Sequence, residues 1–506
     1  MPTLIRFTLV ALLSIIVSAA SSTTAADAPR RNVLFLIADD LNNLIGCYGD
    51  RLAKTPNIDR LAARGTRFDR AYCSFPLCGP SRNSFLTGLY PNCTGIHTNG
   101  VVFRQTIPSQ HSMPQAFRLS GYFAGRVGKL YHYNVPRSIG TNGHDDPGSW
   151  ELELNPAGVD RLVEEPDIIT LVPGQFGGTL SWYASPRPDD EHTDALNAED
   201  AIWVLERCAQ RRERPFFLAV GFFRPHTPYV SPQAYFDMHP KSDMPLVTGV
   251  AEDRADIPPA GLASAKPEQA KLTDDQRLEV RQAYNASISF MDAQVGRVVD
   301  ALDRLGLADN TIIVFTSDHG YHMGEHGLWQ KMSLFEESSR VPLLIVAPGV
   351  SGKGSVVATP VSQIDLFPTL ARLCDVETPD NLPGQDLAPM LREPETVGRG
   401  WALTQVTRGG RRGRRQGNNQ PGFFGYSLRT PRWRYTEWDE GREGRELYDH
   451  DADPRELKNL ADDPALASTI SELSTKLREA IQSSLPPSGE IPGLRPGTWA
   501  PDLTDP

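Results

Sequence analysis

The chain has 506 residues, of which 40% are hydrophobic and 22% are charged, and its formal net charge is −11. This length exceeds one typical domain and fits one large α/β core together with a smaller unit. The composition is typical of a globular protein. The negative charge argues against general nucleic-acid binding, although it leaves room for a locally basic pocket.

The first 26 residues differ in character from the rest of the chain. Arg6 precedes the apolar run from Phe7 to Val17, and small residues follow as far as Ala26. This is the layout of a secretory signal peptide, so we expect residues 1–26 to be removed and the mature protein to be exported. An uncleaved membrane anchor is the alternative, but the apolar run is short for a bilayer span. No later stretch is long and apolar enough to provide one.

Continuous apolar runs without polar alternation predict strands that are buried on both faces of a parallel sheet. These runs cover residues 32–38, 215–221, 311–316 and 341–346. Helical patterns at 55–65, 282–305 and 364–373 lie between these strands or after the last of them. Strands that alternate with helices indicate an α/β protein whose mostly parallel sheet is covered on both sides.

The character of the chain changes after about residue 390, where long apolar runs become rarer and charge increases. Residues 426–438 and 446–449 suggest short antiparallel strands, and residues 464–484 suggest a packing helix. We therefore divide the mature chain into a large domain over 27–390 and a smaller α+β subdomain over 391–506.

Charged side chains follow three of the predicted strands at the points where those strands end. Asp39 and Asp40 follow the first strand, and Asp318 and His319 follow the third. His226 lies shortly after the second strand. Ligands of open α/β sheets bind beyond the carboxyl ends of the strands, so one crevice could collect these residues. Clustered carboxylates favour a hard cation such as Ca²⁺ or Mg²⁺, whereas each pair taken alone could be a solvated turn.

A cysteine begins a short predicted helix in the run Cys78-Gly79-Pro80-Ser81-Arg82, and this helix ends at Gly88. A helix N-terminus favours anions and developing negative charge, which suits a reactive side chain at Cys78. Taken alone, the pattern could equally hold a small buried cysteine.

This run, followed by Leu86-Thr87-Gly88, resembles the signature of the type I sulfatases, in which the cysteine is oxidised to Cα-formylglycine. The resemblance extends from Asp39-Asp40 to Leu447-Tyr448-Asp449 and covers nearly all of the mature chain. Its details are most similar to the iduronate-2-sulfatase-like branch. The resemblance implies an alkaline-phosphatase-like sandwich, with the catalytic site in the large domain and a smaller C-terminal subdomain.

The resemblance also implies a metal site and a modified nucleophile. Formylglycine at position 78 would be hydrated, and one of its hydroxyls would attack sulfur. A single Ca²⁺, or alternatively Mg²⁺, would be bound by this group together with Asp39, Asp40, Asp318 and His319. A maturation enzyme in the host would have to perform the oxidation.

The remaining catalytic and substrate-binding roles also come from the resemblance. Lys129 and Lys331 would bind sulfate oxygens, and Arg82 would hold the formylglycine and the metal-binding carboxylates. His132 would accept a proton from the formylglycine hydrate, and His226 would protonate the departing oxygen.

If Cys78 is modified, five cysteines remain and at least one is unpaired. A bridge among Cys47, Cys73 and Cys93 is open without an assigned pairing.

The implied reaction is hydrolysis of a sulfate ester on a sulfated sugar or polysaccharide, such as a 2-O-sulfated uronate, in a periplasmic, extracellular or lysosome-like compartment. A phosphonate or phosphate ester hydrolase of the same superfamily is one alternative, and an inactive glycan-binding protein is another. A basic run is either a solvated loop or, if it lies near the crevice, a contact for a polyanionic chain. The run consists of Arg408, Arg411, Arg412, Arg414 and Arg415.

Overall fold

The computed structural model describes residues 30–409 and 422–495, and an eight-stranded sheet lies at its centre. In chain order the strands are β1 (Asn32–Ala38), β2 (Thr66–Phe68), β3 (Phe123–Gly128), β4 (Leu152–Leu154), β5 (Phe216–Gly221), β6 (Thr311–Ser317), β7 (Leu343–Val346) and β8 (Ser355–Val357). Their spatial order is β8, β2, β7, β6, β1, β5, β3, β4. Within this sheet only β7 runs antiparallel to its neighbours, so the predicted mostly parallel sheet is confirmed.

Helices cover both faces of the sheet. The longer ones are α1 (Pro56–Arg64), α2 (Cys78–Thr87), α3 (Met113–Leu119), α4 (Thr193–Ala209), α5 (Asp274–Arg304), α6 (Leu366–Cys374) and α7 (Ala467–Ser483). α1, α4 and α5 share a core with Leu34 and Leu36, whereas α2, α3 and α6 share one with Val33 and Phe35. Successive strand side chains point to opposite faces, so the unbroken apolar sequence of β1 supplies both cores.

Shorter elements complete the large unit. Short strands are Ala71–Tyr72, Ile169–Thr170, Ser181–Ser185, Tyr229–Pro232, His322–Met323, Trp329–Gln330, Arg340–Val341 and Val361–Ser362. Short α-helices are Pro91–Thr94, Val159–Leu162, Gln233–Asp237, Val250–Asp253, Pro259–Leu262, Glu336–Ser339 and Ala388–Arg392.

A separate antiparallel sheet lies towards the C-terminus. Its four strands are β9 (Ala402–Arg408), β10 (Phe423–Arg429), β11 (Trp433–Trp438) and β12 (Arg445–Asp449), paired in that order. Leu473 and Leu477 of α7 pack against Leu403, Leu428 and Leu447 of this sheet. The predicted C-terminal strands and packing helix are therefore confirmed.

Two predicted boundaries differ from the structure for local reasons. α5 begins at Asp274 rather than at residue 282, because the side chains of Thr273 and Gln276 cap its first turn reciprocally. The strand predicted over 341–346 is divided at Pro342, which has no backbone N–H to donate. Arg340–Val341 pairs with Ala71–Tyr72, and β7 pairs with β6.

All six cysteines lie within the described residues, and all are free thiols. The bridge considered among Cys47, Cys73 and Cys93 does not form because the thiols have different neighbours. Cys73 Sγ contacts Ser338 O, whereas Cys93 Sγ contacts Ser484 O. Across the two described ranges, no helix is both long and apolar enough to cross a bilayer. The predicted signal peptide lies outside them.

Four neighbouring parallel strands, β6, β1, β5 and β3, end at the same edge of the central sheet. Their register pairs Ala38 with Ser317 and Gly128 with Gly221. A Cβ on Gly221 would lie 1.9 Å from Lys129 O, so glycine permits the close approach of the ends of β5 and β3. The residues that follow these four strands are consequently neighbours in space.

Candidate active site

Cys78 is the first residue of α2 and is completely buried. Its Sγ lies 3.1 Å from Lys331 Nζ, 3.4 Å from His319 Nε2 and 3.8 Å from Asp40 Oδ1. The thiol therefore lies where an ammonium group, an imidazole and a carboxylate meet.

Arg82, one turn further along α2, joins the ends of three strands. Its Nε donates to Asp318 Oδ2 at 3.0 Å, and its Nη2 donates to Asp39 Oδ1 at 3.1 Å. Nη1 donates to the carbonyl oxygens of Lys129 and Leu130 at 2.7 and 2.9 Å. The guanidinium is fully buried, and its rigid fork fixes the two carboxylates relative to each other.

Two ammonium groups contact the Asp39-Asp40 pair. Lys129 Nζ lies 2.5 Å from Asp39 Oδ2, and Lys331 Nζ lies 2.5 Å from Asp40 Oδ1. The other carboxylate oxygen of Asp40, Oδ2, is buried without a hydrogen-bond partner, and His226 Nε2 is 3.6 Å away. A buried carboxylate oxygen without a partner is costly.

This donor set fits a hard divalent cation. Donor atoms of Asp40, Cys78, Asp318 and His319 lie within 4.8 Å of one another, and so do those of Asp39, Asp40 and His226. Burial raises the pKa of Asp318 to about 6, against the lowering effect of His319 and Arg82. A cation at the unpartnered Asp40 Oδ2 would offset both the lost hydration and the repulsion between carboxylates.

The Asp40 backbone adopts a left-handed conformation with φ of 65°. Its N–H donates to Asp318 Oδ1 at 3.0 Å. On the other side, Tyr284 Oη donates to Asp40 O at 2.8 Å and accepts from the N–H of Asn42 at 3.0 Å. Sequence analysis did not identify Tyr284. It lies on α5, far from the loop in sequence, and nothing local to the helix indicates this contact.

Two histidines near the thiol have pKa values that are shifted in opposite directions. His319 Nδ1 donates to Gly320 O at 2.8 Å, which directs Nε2 towards Cys78. Burial opposes its charge, but Asp318 and Cys78 together raise the pKa of His319 to about 9. The Cys78 side chain also interacts with His132, whose Nε2 lies 3.3 Å from Asn134 Oδ1 and whose Nδ1 is buried without a hydrogen-bond partner. Burial lowers the pKa of His132.

The loop that carries His226 is held by a carboxylate at the start of α4. The backbone N–H groups of Phe223 and Arg224 both donate to Asp194 at 2.8 Å. The Arg224 side chain also donates to Asp160 at 2.7 Å. Sequence analysis did not identify Asp194, because its role depends on packing between α4 and β5.

The cations of the site control its ionisation. Burial alone would raise the pKa of the Cys78 thiol, but Lys331, Lys129 and His319 hold that pKa well below its ordinary value. Burial would likewise raise the pKa of Asp39, but Lys129 together with His226 and Arg82 holds that pKa below its usual range. The site therefore favours negative charge at position 78.

The structure brings all the predicted site residues into one cluster. They are Asp39, Asp40, Cys78, Arg82, Lys129, His132, His226, Asp318, His319 and Lys331.

The basic run behaves differently, because Arg408 is buried and donates to the carbonyl oxygens of Ala260 and Met332. A solvated loop is therefore wrong for Arg408. Arg411, Arg412, Arg414 and Arg415 lie outside the described residues.

Comparison with known proteins identifies the family of this chain. The model of the family named Sulfatase matches residues 31–376. A sulfatase of Formosa agariphila is 33% identical over 476 residues, which cover 89% of this chain and 87% of the relative. Iduronate 2-sulfatase of Mus musculus is 32% identical over 492 residues, which cover 83% of this chain and 86% of the relative.

A solved structure extends the comparison to the fold. Phosphonate monoester hydrolase of Agrobacterium radiobacter superposes with a TM-score of 0.73 at 26% identity, covering 92% of this chain and 100% of that protein. The expected alkaline-phosphatase-like architecture, with a large flanked sheet and a smaller C-terminal sheet, is confirmed. The chain therefore belongs to the sulfatase family, on the branch that resembles iduronate 2-sulfatase.

Proposed function

We propose that the protein hydrolyses a sulfate ester on a sulfated carbohydrate after Cys78 has been oxidised to Cα-formylglycine. The observation that carries this proposal is the buried Cys78 side chain at the start of α2, in contact with Lys331 and His319 beside the carboxylates. Sulfate-ester hydrolysis needs a nucleophile, positive charge around the sulfuryl oxygens and a proton donor for the leaving alcohol. The site offers candidates for all of these.

Positive charge comes from two lysines. Lys331 Nζ reaches both Asp40 and the side chain at position 78, so it can also bind an oxygen of a sulfate group held there. Lys129 approaches from the β3 side and contacts Asp39. The Arg82 guanidinium donates to Asp39, Asp318 and two backbone carbonyl oxygens, which supports a role in holding the carboxylates rather than the substrate.

We assign Asp39, Asp40, Asp318 and His319, together with residue 78, to a site for Ca²⁺ or Mg²⁺. When bound, the cation supplies positive charge that lowers the energy of negative charge developing on oxygen. The chain contributes mainly carboxylate oxygens, which both ions prefer to nitrogen, so His319 is the weakest of these ligands.

Proton transfer falls to the two remaining histidines. The lowered pKa of His132 leaves its imidazole neutral near pH 7, and the unpartnered Nδ1 can accept a proton from a hydroxyl at position 78. Loss of that proton would reform the aldehyde and expel sulfate. His226 Nδ1 lies 2.5 Å from Thr227 O, which leaves Nε2 facing the site and suited to the leaving oxygen.

Similarity to known sulfatases supports the substrate class, and the N-terminal segment supports the compartment. The mouse relative is an iduronate 2-sulfatase, which supports a 2-O-sulfated uronate or a related sugar as the substrate. Residues 1–26 support export to a periplasmic, extracellular or lysosome-like compartment, with a host enzyme to form the formylglycine. Hydrolysis of a phosphonate or phosphate ester is the second candidate, favoured by the similarity to a phosphonate monoester hydrolase.

The test begins with peptide mass spectrometry across residues 71–104 of protein from its native host. Formylglycine at position 78 is the expected result. The converted protein is then assayed on matched aryl sulfate, aryl phosphate and aryl phosphonate esters. A highest kcat/KM on the sulfate supports the proposal, and release of sulfate from a 2-O-sulfated uronate disaccharide would define the sugar. A higher kcat/KM on phosphate or phosphonate would contradict it. Glycan binding without turnover by fully converted protein would favour an inactive binding protein.

A further inference from the structure

Lys331 lies between two residues whose backbones are in the left-handed region. Gln330 has φ of 71°, and Met332 has φ of 75°. Residues other than glycine adopt this conformation at a cost, and they keep it only where the surrounding structure holds them. The position of the Lys331 side chain therefore depends on whatever holds its two neighbours.

Contacts from three parts of the chain hold these neighbours. Gln330 Oε1 accepts from Gln269 Nε2 at 3.0 Å and also from the ammonium group of Lys266. The Met332 N–H donates to Pro76 O at 3.1 Å, two residues before Cys78. Met332 O accepts from Arg408 Nη2 at 2.7 Å.

Arg408 is itself fixed from several directions. It ends β9 of the C-terminal sheet and is only 7% exposed. Its Nε donates to Ala260 O at 2.8 Å, and its guanidinium lies 4.8 Å from the centre of the Trp438 ring. A rigid, buried fork of this kind can hold two carbonyl oxygens at once, which a lysine ammonium does less well.

We propose that Arg408 is a positioning residue for Lys331, through which the C-terminal sheet completes the active site. The inference rests on the proposed function, in which Lys331 binds the sulfate group. Arg408 acts on the backbone carbonyl of Met332, and this fixes where the Lys331 Nζ meets Asp40 and position 78. The small sheet is thus part of the catalytic architecture as well as a packing unit.

A double-mutant cycle on formylglycine-containing protein tests this link. We expect Arg408→Met to lower kcat/KM on an aryl sulfate by roughly 10- to 100-fold, because even a small misplacement of a group that binds the substrate strongly lowers the reaction rate. In a Lys331→Met background the same change should lower kcat/KM by less than about 2-fold, because the ammonium group that Arg408 positions is already absent. Equal losses in both backgrounds would overturn the inference and point to a general structural role.

Arg399→Met is the matched control. This guanidinium, just before β9, binds Asp365 and Trp401 O instead of the Lys331 segment. Its loss should lower kcat/KM by the same factor with and without Lys331. Arg408→Lys, which keeps the charge, should fall between the wild type and Arg408→Met, and it replaces Arg408→Met if that variant does not fold.

Hydrogen exchange separates failure of this inference from failure of the proposed function. Peptides covering residues 328–335 should exchange faster in the Arg408 variant than in the wild type, and the Arg399 variant should leave them unchanged. If the wild type turns over no sulfate ester, the proposed function fails, while faster exchange still supports the link from Arg408 to the Lys331 segment. Unchanged exchange in these peptides would overturn it.

Discussion

Two buried clusters of carboxylates and cations can be compared directly in this molecule. One surrounds Cys78, and the other joins Glu336 and Glu456 to the C-terminal sheet. Both place acidic and histidine side chains close enough to hold a metal ion. By the spacing of their donor atoms alone, either cluster could hold a metal ion.

Their hydrogen bonds distinguish them. In the second cluster, Glu456 Oε1 accepts from Arg434 and His450, and Oε2 accepts from the N–H of Glu336. Burial opposes its charge, but Arg434 and His450 hold the pKa of Glu456 at about 2. In the first cluster, Asp40 Oδ2 has no hydrogen-bond partner. Guanidinium groups thus complete the second cluster, whereas the first keeps a donor atom available for a ligand.

The comparison predicts that the first cluster carries the chemistry. Cys78→Ala should lower kcat by at least about 10³-fold, because no nucleophile can form at that position. The free energy of unfolding should change little by comparison. Turnover of an aryl sulfate by converted wild type and by the variant measures the effect. Cys208→Ala, at a half-buried thiol of α4, is the control and should retain full activity. Equal activity of the two variants would contradict the assignment.

The second cluster should instead carry stability. Arg434→Met leaves buried Glu336 and Glu456 without their main cation, and we expect a loss of about 3–5 kcal/mol in the free energy of unfolding. Arg432→Met removes a half-exposed guanidinium that pairs with Asp449 on the same sheet and should cost less than about 1 kcal/mol. Urea unfolding of both variants gives the two values. Similar losses would mean that the buried network stabilises the fold no more than the exposed ion pair does.

The ionisation of Glu456 gives a pH-dependent form of the same prediction. Its pKa is lowered from 4.5 to about 2 on folding, so its stabilising contribution is fully present above pH 4.5 and disappears as the pH falls towards 2. The pKa difference corresponds to roughly 3 kcal/mol. We expect Glu456→Gln to flatten the fall in unfolding free energy between pH 4.5 and pH 2. An unchanged slope in acid-unfolding curves would show that other carboxylates dominate.

The smallest expected effect sharpens the account of the first cluster. Tyr284→Phe removes the hydroxyl that bridges Asp40 O and the N–H of Asn42, and it should weaken Ca²⁺ binding by roughly 5- to 30-fold, because two hydrogen bonds are lost. A calcium titration followed by thermal unfolding measures this. Tyr229→Phe is the control, because its hydroxyl binds Tyr321 Oη within the same aromatic group. Equal weakening by both variants would refute a specific role for Tyr284.

Prediction from sequence succeeded where the signal is local. The apolar runs gave β1, β5 and β6, and the residues after them lie together because parallel neighbours end at one sheet edge. The motif at Cys78 predicted the start of α2. The early start of α5 also has a local signal, the capping pair of Thr273 and Gln276.

What sequence alone determined is the chemistry of the site: which residue types follow which buried strands, and a cysteine at the start of a helix. Tertiary structure alone decided the reversed direction of β7, the free thiols of Cys47, Cys73 and Cys93, and the hydrogen bond from Arg408 to Met332 O. The physical reason is the separation along the chain over which each interaction acts. Hydrophobic periodicity and capping act over a few residues, whereas these contacts join segments far apart in the chain and exist only after the sheets have packed.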